Sequence, residues 1–435
     1  MPAPVNITPV KTTPVETAPP ATSAVKTVAI IGGGPAGSAL ATLLVRRNYK
    51  VGIFHTDKRP PLIVGESLLP AVIPMLRELG VEEQVKSFSI YKPGATVCLK
   101  VDEIVTAPFE NAKGNLPPYA YNTDRALFDQ AILDGAEKAG ARVFRFSSKI
   151  EKGPQPGTVQ LSAETLERTE GFFGQAPDLI VDATGRLRTI AKVLDLPARE
   201  GGRKDVALFA HHKNVTMTDT GHIHLDHLTC GWSWRIPLPE RVSLGIVIHP
   251  DHLQKFGSDL ESQYDGYLKS EPSLRQYTQG ASRITPVVRY NNYQLISEKM
   301  YGPGWAMIGD AAGFLDPVFS TGLYLGMKSA FEFAKAMDVG TERALQKYQD
   351  NCRWELKMWQ RVVSSWYSGV LFNLYRAGQA YKDHPIGRRI APRVEKRLGR
   401  IFTGEAINDR VNMTVFEWLI SLGTVLRDHK DLAVV

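Results

Sequence analysis

Apolar residues run unbroken through 27–31 (TVAII), stop at Gly32, and resume at helical spacing from Ser38 to Leu44. That order predicts a strand, a glycine turn and a helix. Residues 50–54 predict the next strand, and two later stretches, 178–185 (DLIVDATG) and 305–310 (WAMIGD), are apolar runs that close on small residues. In 232–237 (WSWRIP) the two tryptophans stand at i and i+2, so they share one face of a predicted strand. Residues 242–248 (VSLGIVI) read as its antiparallel partner, joined through a turn at 239–241. From about residue 324, Leu325, Met327, Ala330, Phe331 and Phe333 recur at helical spacing, and helices punctuated by His384-Pro385 and Pro392 are expected to the C-terminus. Residues 1–24, rich in proline and threonine, have no periodicity and are expected to be a disordered tail.

The glycine turn carries the first chemistry. Gly32-Gly33-Gly34-Pro35-Ala36-Gly37 lies between a strand and a helix, as a dinucleotide fingerprint requires. Gly32 permits the tight turn, Gly34 lets the backbone approach a pyrophosphate, Gly37 allows close helix packing, and the helix N-terminus offers N–H groups to phosphate. The second strand ends at His55, where such folds place an acidic ribose ligand. His55 or Asp57 takes over that contact, or it is left to solvent. The Gly309-Asp310 pair matches the position at which two-dinucleotide-binding FAD proteins set a carboxylate beside the ribityl chain, followed by a helix aimed at the flavin ring. The plainer reading of Asp310 is a helix cap.

The fold class that follows is α/β: a Rossmann-like FAD domain with an inserted β-sheet substrate domain and a C-terminal helical region. The expected boundaries are 25–92, 123–202 and 293–338 for the FAD domain, 93–122 and 203–292 for the sheet, and 339–435 for the helices. Composition agrees, with 435 residues, 43% hydrophobic and 22% charged. Cys98, Cys230 and Cys352 are widely separated and show no metal or redox spacing, which fits a reducing cytoplasm without disulfides. No metal, no membrane span and no nucleic-acid module is expected. A second glycine fingerprint is absent, so a separate NAD(P)H flavin reductase is expected to supply reduced FAD.

Several segments together resemble the flavin-dependent halogenases: 65–70 (GESLLP), Asp124-Arg125 with Phe128-Asp129, 182–186 (DATGR), WSWRIP, and Gly309-Asp310 through 316–322 (DPVFSTG). The phenol- and pyrrole-directed branch is the better match, over about residues 27–337, and the tail resembles the shorter, carrier-protein-dependent members. The resemblance implies FAD at Gly32, Gly34, Pro35, Ala36, Gly37, Ser67, Arg125, Asp182, Gly309, Asp310 and Gly322, and chloride or bromide at Thr321 and Gly322. It implies that reduced flavin, O2 and halide yield a hypohalous acid, which travels to Lys92. There the ammonium polarises the acid, or the neutral amine becomes a haloamine, and either needs a lysine pKa lowered by desolvation. Trp232 and Trp234 would form the wall between flavin and substrate. Phe319 stands where tryptophan-directed members commonly carry a Glu, which argues for an electron-rich phenol or pyrrole.

The net charge of +7 owes much to Arg388, Arg389, Arg393, Lys396, Arg397 and Arg400. These form a solvated helix face, or a docking site for an acidic acyl or peptidyl carrier protein. Two other readings share the scaffold: an FAD monooxygenase or geranylgeranyl-reductase-like oxidoreductase, and a non-catalytic flavoprotein.

Overall fold

The structure, a computed structural model, describes residues 26–56, 60–100, 102–291, 294–381, 383–407, 409–426 and 432–434. The expected N-terminal tail and Asp57 lie outside the described residues. A six-stranded sheet is ordered Tyr301–Gly302, Trp305–Met307, Leu179–Asp182, Thr27–Ile31, Lys50–Phe54, Arg142–Phe144. All neighbours in it are parallel except the first two. Val28, Ala29, Ile30, Val51 and Ile53 are buried, which suits strands covered on both faces. Helix Pro35–Val45 packs between helices Arg125–Ala139 and Thr321–Val339.

A second sheet runs in the order Ser282–Arg283, Val206–Lys213, Arg241–Ile248, Trp232–Leu238, Ile223–His227, Gly94–Lys100, Glu103–Pro108, with Val288–Asn291 also on Val206–Lys213. The tryptophan strand pairs antiparallel with Arg241–Ile248, Trp232 opposite Val247 and Trp234 opposite Gly245. Its neighbour Ile223–His227 is parallel to Gly94–Lys100, so the sheet joins two distant parts of the chain. Region 203–292 also carries two helices, Leu260–Ser270 and Pro272–Thr278, that the strand-rich reading passes over. Asp259 caps the first by accepting from the Ser262 N–H at 2.8 Å. Tyr264, Tyr267, Leu268 and Leu274 from these helices bury Leu208, Ala210, Leu244 and Ile246.

Side chains alternate across the tryptophan strand. Ile223, Leu225, Trp232, Trp234 and Ile236 take one face, and Asp226, Ser233 and Arg235 take the other. Arg235 and Asp226 form a fully buried bidentate pair, Nη2 to Oδ1 at 2.7 Å and Nε to Oδ2 at 3.0 Å. Ser233 Oγ donates to the same carboxylate at 2.9 Å, and the guanidinium lies 3.6 Å from the centre of the Tyr277 ring.

The chain ends in helices Thr321–Val339, Glu342–Tyr367, Val370–Tyr381, Pro385–Phe402 and Arg410–Leu426. Pro385 opens its helix, as a residue without an N–H to lose can. Pro392, expected to break the run, lies inside Pro385–Phe402. The helix continues through it at the cost of one backbone hydrogen bond, that to the Arg388 carbonyl.

Asp226→Ala leaves Arg235 charged and unpaired in the interior. It is expected to cost about 3–5 kcal/mol of stability, read from urea unfolding.

Candidate active site

A cavity of about 500 Å³ runs from the glycine turn to the tryptophan strand. Gly32 has φ +114, and a Cβ there would lie 2.3 Å from the Ala183 carbonyl oxygen, so the turn rests directly on the neighbouring strand end. Gly34 faces open space, with Gly32, Pro35 and Ala36 beside it on the cavity surface. Gly37 is not on that surface. Its absent side chain instead admits the Gly32 carbonyl, which brings helix and turn together. His55 lines the cavity at this end, its ring packed against Gly33.

Arg125, Glu66 and Ser67 line the middle. Arg125 donates to Asp129 at 3.0 Å and to the Val64 carbonyl. Ser67 Oγ is buried and has no hydrogen-bond partner among the described residues. Gly309 and Asp310 sit opposite, in a single 3-10 turn. Desolvation in the cavity wall pushes the Asp310 carboxyl up to about 6, against the pull of Arg125 and Arg186. Asp310 does not cap a helix. The long helix aimed at this end of the cavity starts only at Thr321.

Asp182 departs from its expected place at the cofactor. It is fully buried, and its carboxylate accepts from Thr184 N at 2.9 Å, Thr184 Oγ1 at 2.6 Å and Ile190 N at 2.8 Å. It shapes the turn, while Ala183, Thr184 and Gly185 face the cavity.

At the far end Trp232 and Trp234 form one wall, ring centroids 5.8 Å apart. Trp232 Nε1 donates to Tyr367 Oη at 2.8 Å, and Tyr367 donates to the buried Asp316 at 2.8 Å. This anchor couples the wall to the C-terminal helices, and no local spacing in the sequence signals it. Trp234 Nε1 donates to Ser243 Oγ at 3.2 Å, and its ring lies over Gly245, where a Cβ would stand 2.2 Å from it. Ser320 and Gly322 complete this end at the N-terminus of helix Thr321–Val339. Thr321 Oγ1 is buried without a partner among the described residues.

Lys92 is outside this cavity. It is 2% exposed, donates from Nζ to the Leu68 carbonyl at 2.8 Å, and lies 5.3 Å from the centre of the Phe109 ring. Burial pulls its pKa down to about 7. Leu68 adjoins Ser67, so one short segment faces the cavity with one residue and holds the lysine with the next. Sequence reasoning also missed a chain of polar groups beside that segment, buried at one end and partly exposed at the other: Glu66 to His211 Nε2 at 2.7 Å, His211 Nδ1 to Arg241 at 3.1 Å, and Arg241 to Asp124.

The residues on the cavity suit FAD. An open backbone cradle and helix N-terminus offer a phosphate site, and the orphaned Ser67 hydroxyl and the Asp310 carboxyl offer polar contacts further along. The family profile described as tryptophan halogenase matches residues 27–96 and 93–370, most of the chain. The chain belongs to the tryptophan halogenase family. Among members of this family, the tryptophan 2-halogenase of Chondromyces crocatus is 27% identical over 355 residues, covering 78% of this chain and 67% of that one. A 1H-pyrrole-2-carbonyl peptidyl-carrier protein chlorinase of Pseudomonas fluorescens is 25% identical over 392 residues, covering 82% and 86%. The fold matches the flavin-dependent brominase Bmp2 with a TM-score of 0.73, at 21% identity over 92% of this chain and 99% of that one. The tryptophan halogenase family comprises flavin-dependent enzymes, and FAD is the cofactor, with O2 and halide as co-substrates. No helix among the described residues is long and apolar enough to cross a membrane.

Gly245→Ala drives a methyl group into the Trp234 ring. Overpacking of this kind costs about 1–3 kcal/mol, and the expected result is a lower unfolding midpoint together with weaker FAD binding in a fluorescence titration.

Proposed function

We propose that the chain halogenates an electron-rich aromatic ring, a phenol or pyrrole, with hypohalous acid delivered to Lys92. The observation that carries this reading is the buried Lys92 on the reverse side of the segment that lines the FAD cavity. Reduced FAD supplies the electrons with which O2 becomes a two-electron oxidant of chloride or bromide. Gly32, Gly34, Pro35 and Ala36 would hold the pyrophosphate, Asp310 would accept from the ribityl hydroxyls, and Ser67, Arg125 and Gly309 would complete the cradle. The N–H groups at Thr321 and Gly322 bind the halide, since a helix N-terminus holds an anion without placing a base beside it. Trp232 and Trp234 keep the arene from the flavin, so that halide oxidation and ring substitution occur apart.

Lys92 acts as its ammonium. Nζ gives one hydrogen to the Leu68 carbonyl, leaving two to polarise the acid and protonate the departing hydroxide. The Phe109 ring beside it supports the charged form. Phe319 packs against Trp359, Trp366 and Phe402, an aromatic setting that suits a phenol or pyrrole. The relative that chlorinates a carrier-bound pyrrole supports the same substrate class.

An acidic carrier protein would present that ring. Arg388, Arg389, Arg393 and Lys396 are exposed along helix Pro385–Phe402, whose other side packs on Phe109–Ala112 next to Lys92. A separate NAD(P)H flavin reductase supplies the reduced cofactor.

Lys92→Ala, assayed with a flavin reductase, halide and arene, is expected to lower product formation by about 10²–10⁴-fold while flavin reoxidation continues. Halogenation at the wild-type rate would sink the role given to Lys92. Because its pKa is lowered to about 7, the ammonium is present below that pH and lost above it. Turnover is therefore expected to fall as pH rises through about 7, whereas an amine mechanism would make it rise.

Charge reversal by R393E and K396E is expected to lower kcat/KM about tenfold for a carrier-bound ring and to leave the free ring unaffected. Equal loss on both would remove the docking role.

A further inference from the structure

Halogenation of a ring also requires a base, and the proposed function assigns none. Beside Lys92 the structure holds a second constellation, made by three segments. His222 stands at the edge of strand Ile223–His227, and its ring packs against Gly94, two residues beyond Lys92. A Cβ on Gly94 would lie 2.8 Å from His222 Cε1 and 3.0 Å from Nε2, so only glycine admits the imidazole there. Gly221, directly before the histidine, approaches the Tyr91 carbonyl next to Lys92 and accepts from Asn122 Nδ2 at 2.9 Å. The imidazole is therefore held against the strand that presents the lysine.

Its hydrogen bonds determine the tautomer. His222 Nδ1 is 2.9 Å from Thr96 Oγ1, and that hydroxyl is 2.8 Å from Asp219 Oδ2. A carboxylate cannot donate, so the single hydroxyl hydrogen goes to Asp219 and the hydroxyl must accept from Nδ1–H. The Nε2 lone pair is then left on the edge of the ring that faces Gly94. His222 is 7% exposed. Burial lowers its pKa, with Asp219 and a hydrogen bond to the Ala95 backbone opposing and the Lys92 charge reinforcing. An Asp-Thr-His arrangement that fixes one ring nitrogen as donor and frees the other is the geometry of an oriented base.

We propose that His222 takes up the ring proton released on halogenation, and that Thr96 and Asp219 are its positioning residues. This rests on the reading of Lys92 given above. The ring π pair forms the carbon–halogen bond, the halogen–oxygen bond breaks, and the departing hydroxide takes a proton from the Lys92 ammonium to become water. The ring C–H pair returns to the π system as its proton passes to His222 Nε2, and the imidazolium returns that proton to the lysine through water. Arene and hypohalous acid thus yield haloarene and water, with both side chains restored.

The test uses the FAD-loaded enzyme with a flavin reductase, bromide, and protiated or ring-deuterated phenol and pyrrole. H222Q is expected to bind FAD and reoxidise it as wild type does. It is expected to lose on the order of 10²-fold in product formation, and to show a ring-deuterium isotope effect that wild type lacks. Added imidazole should restore part of the rate. T96V, which keeps the imidazole but removes its orienting partner, should show a smaller loss with the same isotope effect, and it decides the matter if H222Q fails to fold. Nitrogen-15 spectra of histidine-labelled protein should show His222 as the Nδ1–H tautomer. A wild-type rate without an isotope effect in H222Q, or the Nε2–H tautomer, overturns the proposal while Lys92 stays essential in the parallel K92A assay. If K92A halogenates normally, or wild type halogenates neither ring, the reading of Lys92 or of its substrate falls, and this proposal with it.

Discussion

The buried pair between Arg235 and Asp226 is the constraint on which the geometry of the cavity depends. Both side chains are fully enclosed beneath the second sheet, and the guanidinium is held by two carboxylate bonds, the Thr216 carbonyl and the Tyr277 ring. Side chains alternate along a strand, so the same pairing that keeps Arg235 on one face keeps Trp232 and Trp234 on the other. A one-residue slip would turn the arginine into the FAD cavity and the tryptophans onto the polar side. The pair contributes through register more than through net stabilisation, because desolvating two charges offsets much of their attraction.

The same physical cause acts with opposite sign on Lys92 and Asp310. Desolvation disfavours charge, so it pulls Lys92 down to about 7 and pushes Asp310 up to about 6. Both pKa values then lie near neutral pH. The second sheet contributes to the burial of Asp310, since Ile223, Leu225, Trp232, Trp234 and Ile236 wall the same cavity.

Much of this was legible in the sequence where function and local backbone coincide. The strand, glycine turn and helix at 27–44 are specified by neighbours in the chain, and the face shared by Trp232 and Trp234 follows from strand alternation alone. Asp182 was misread for an equally local reason. DLIVDATG and WAMIGD have the same outline, but Asp182 turns back onto Thr184 and Ile190 while Asp310 opens into the cavity. Contacts made across long stretches of chain left no trace. His211 meets Glu66, Tyr367 meets Asp316 and Trp232, and Thr96 meets His222 and Asp219 only because the sheets bring them together. Pro392 was misleading because tertiary support outweighs the loss of one helical hydrogen bond.

Ser67 faces the cavity, and the carbonyl of Leu68 holds the lysine. The wall of the cavity at this point and the anchor of the lysine are therefore consecutive residues of one segment. A peptide bond is a covalent ruler: the carbonyl that holds the lysine cannot move without moving the cavity wall beside it. A change in that wall would then be felt at the lysine, while the escape of a reactive small molecule would depend on how tightly the outer helices seal the lysine side. Evolution of a new substrate would reshape those helices and leave the ruler alone.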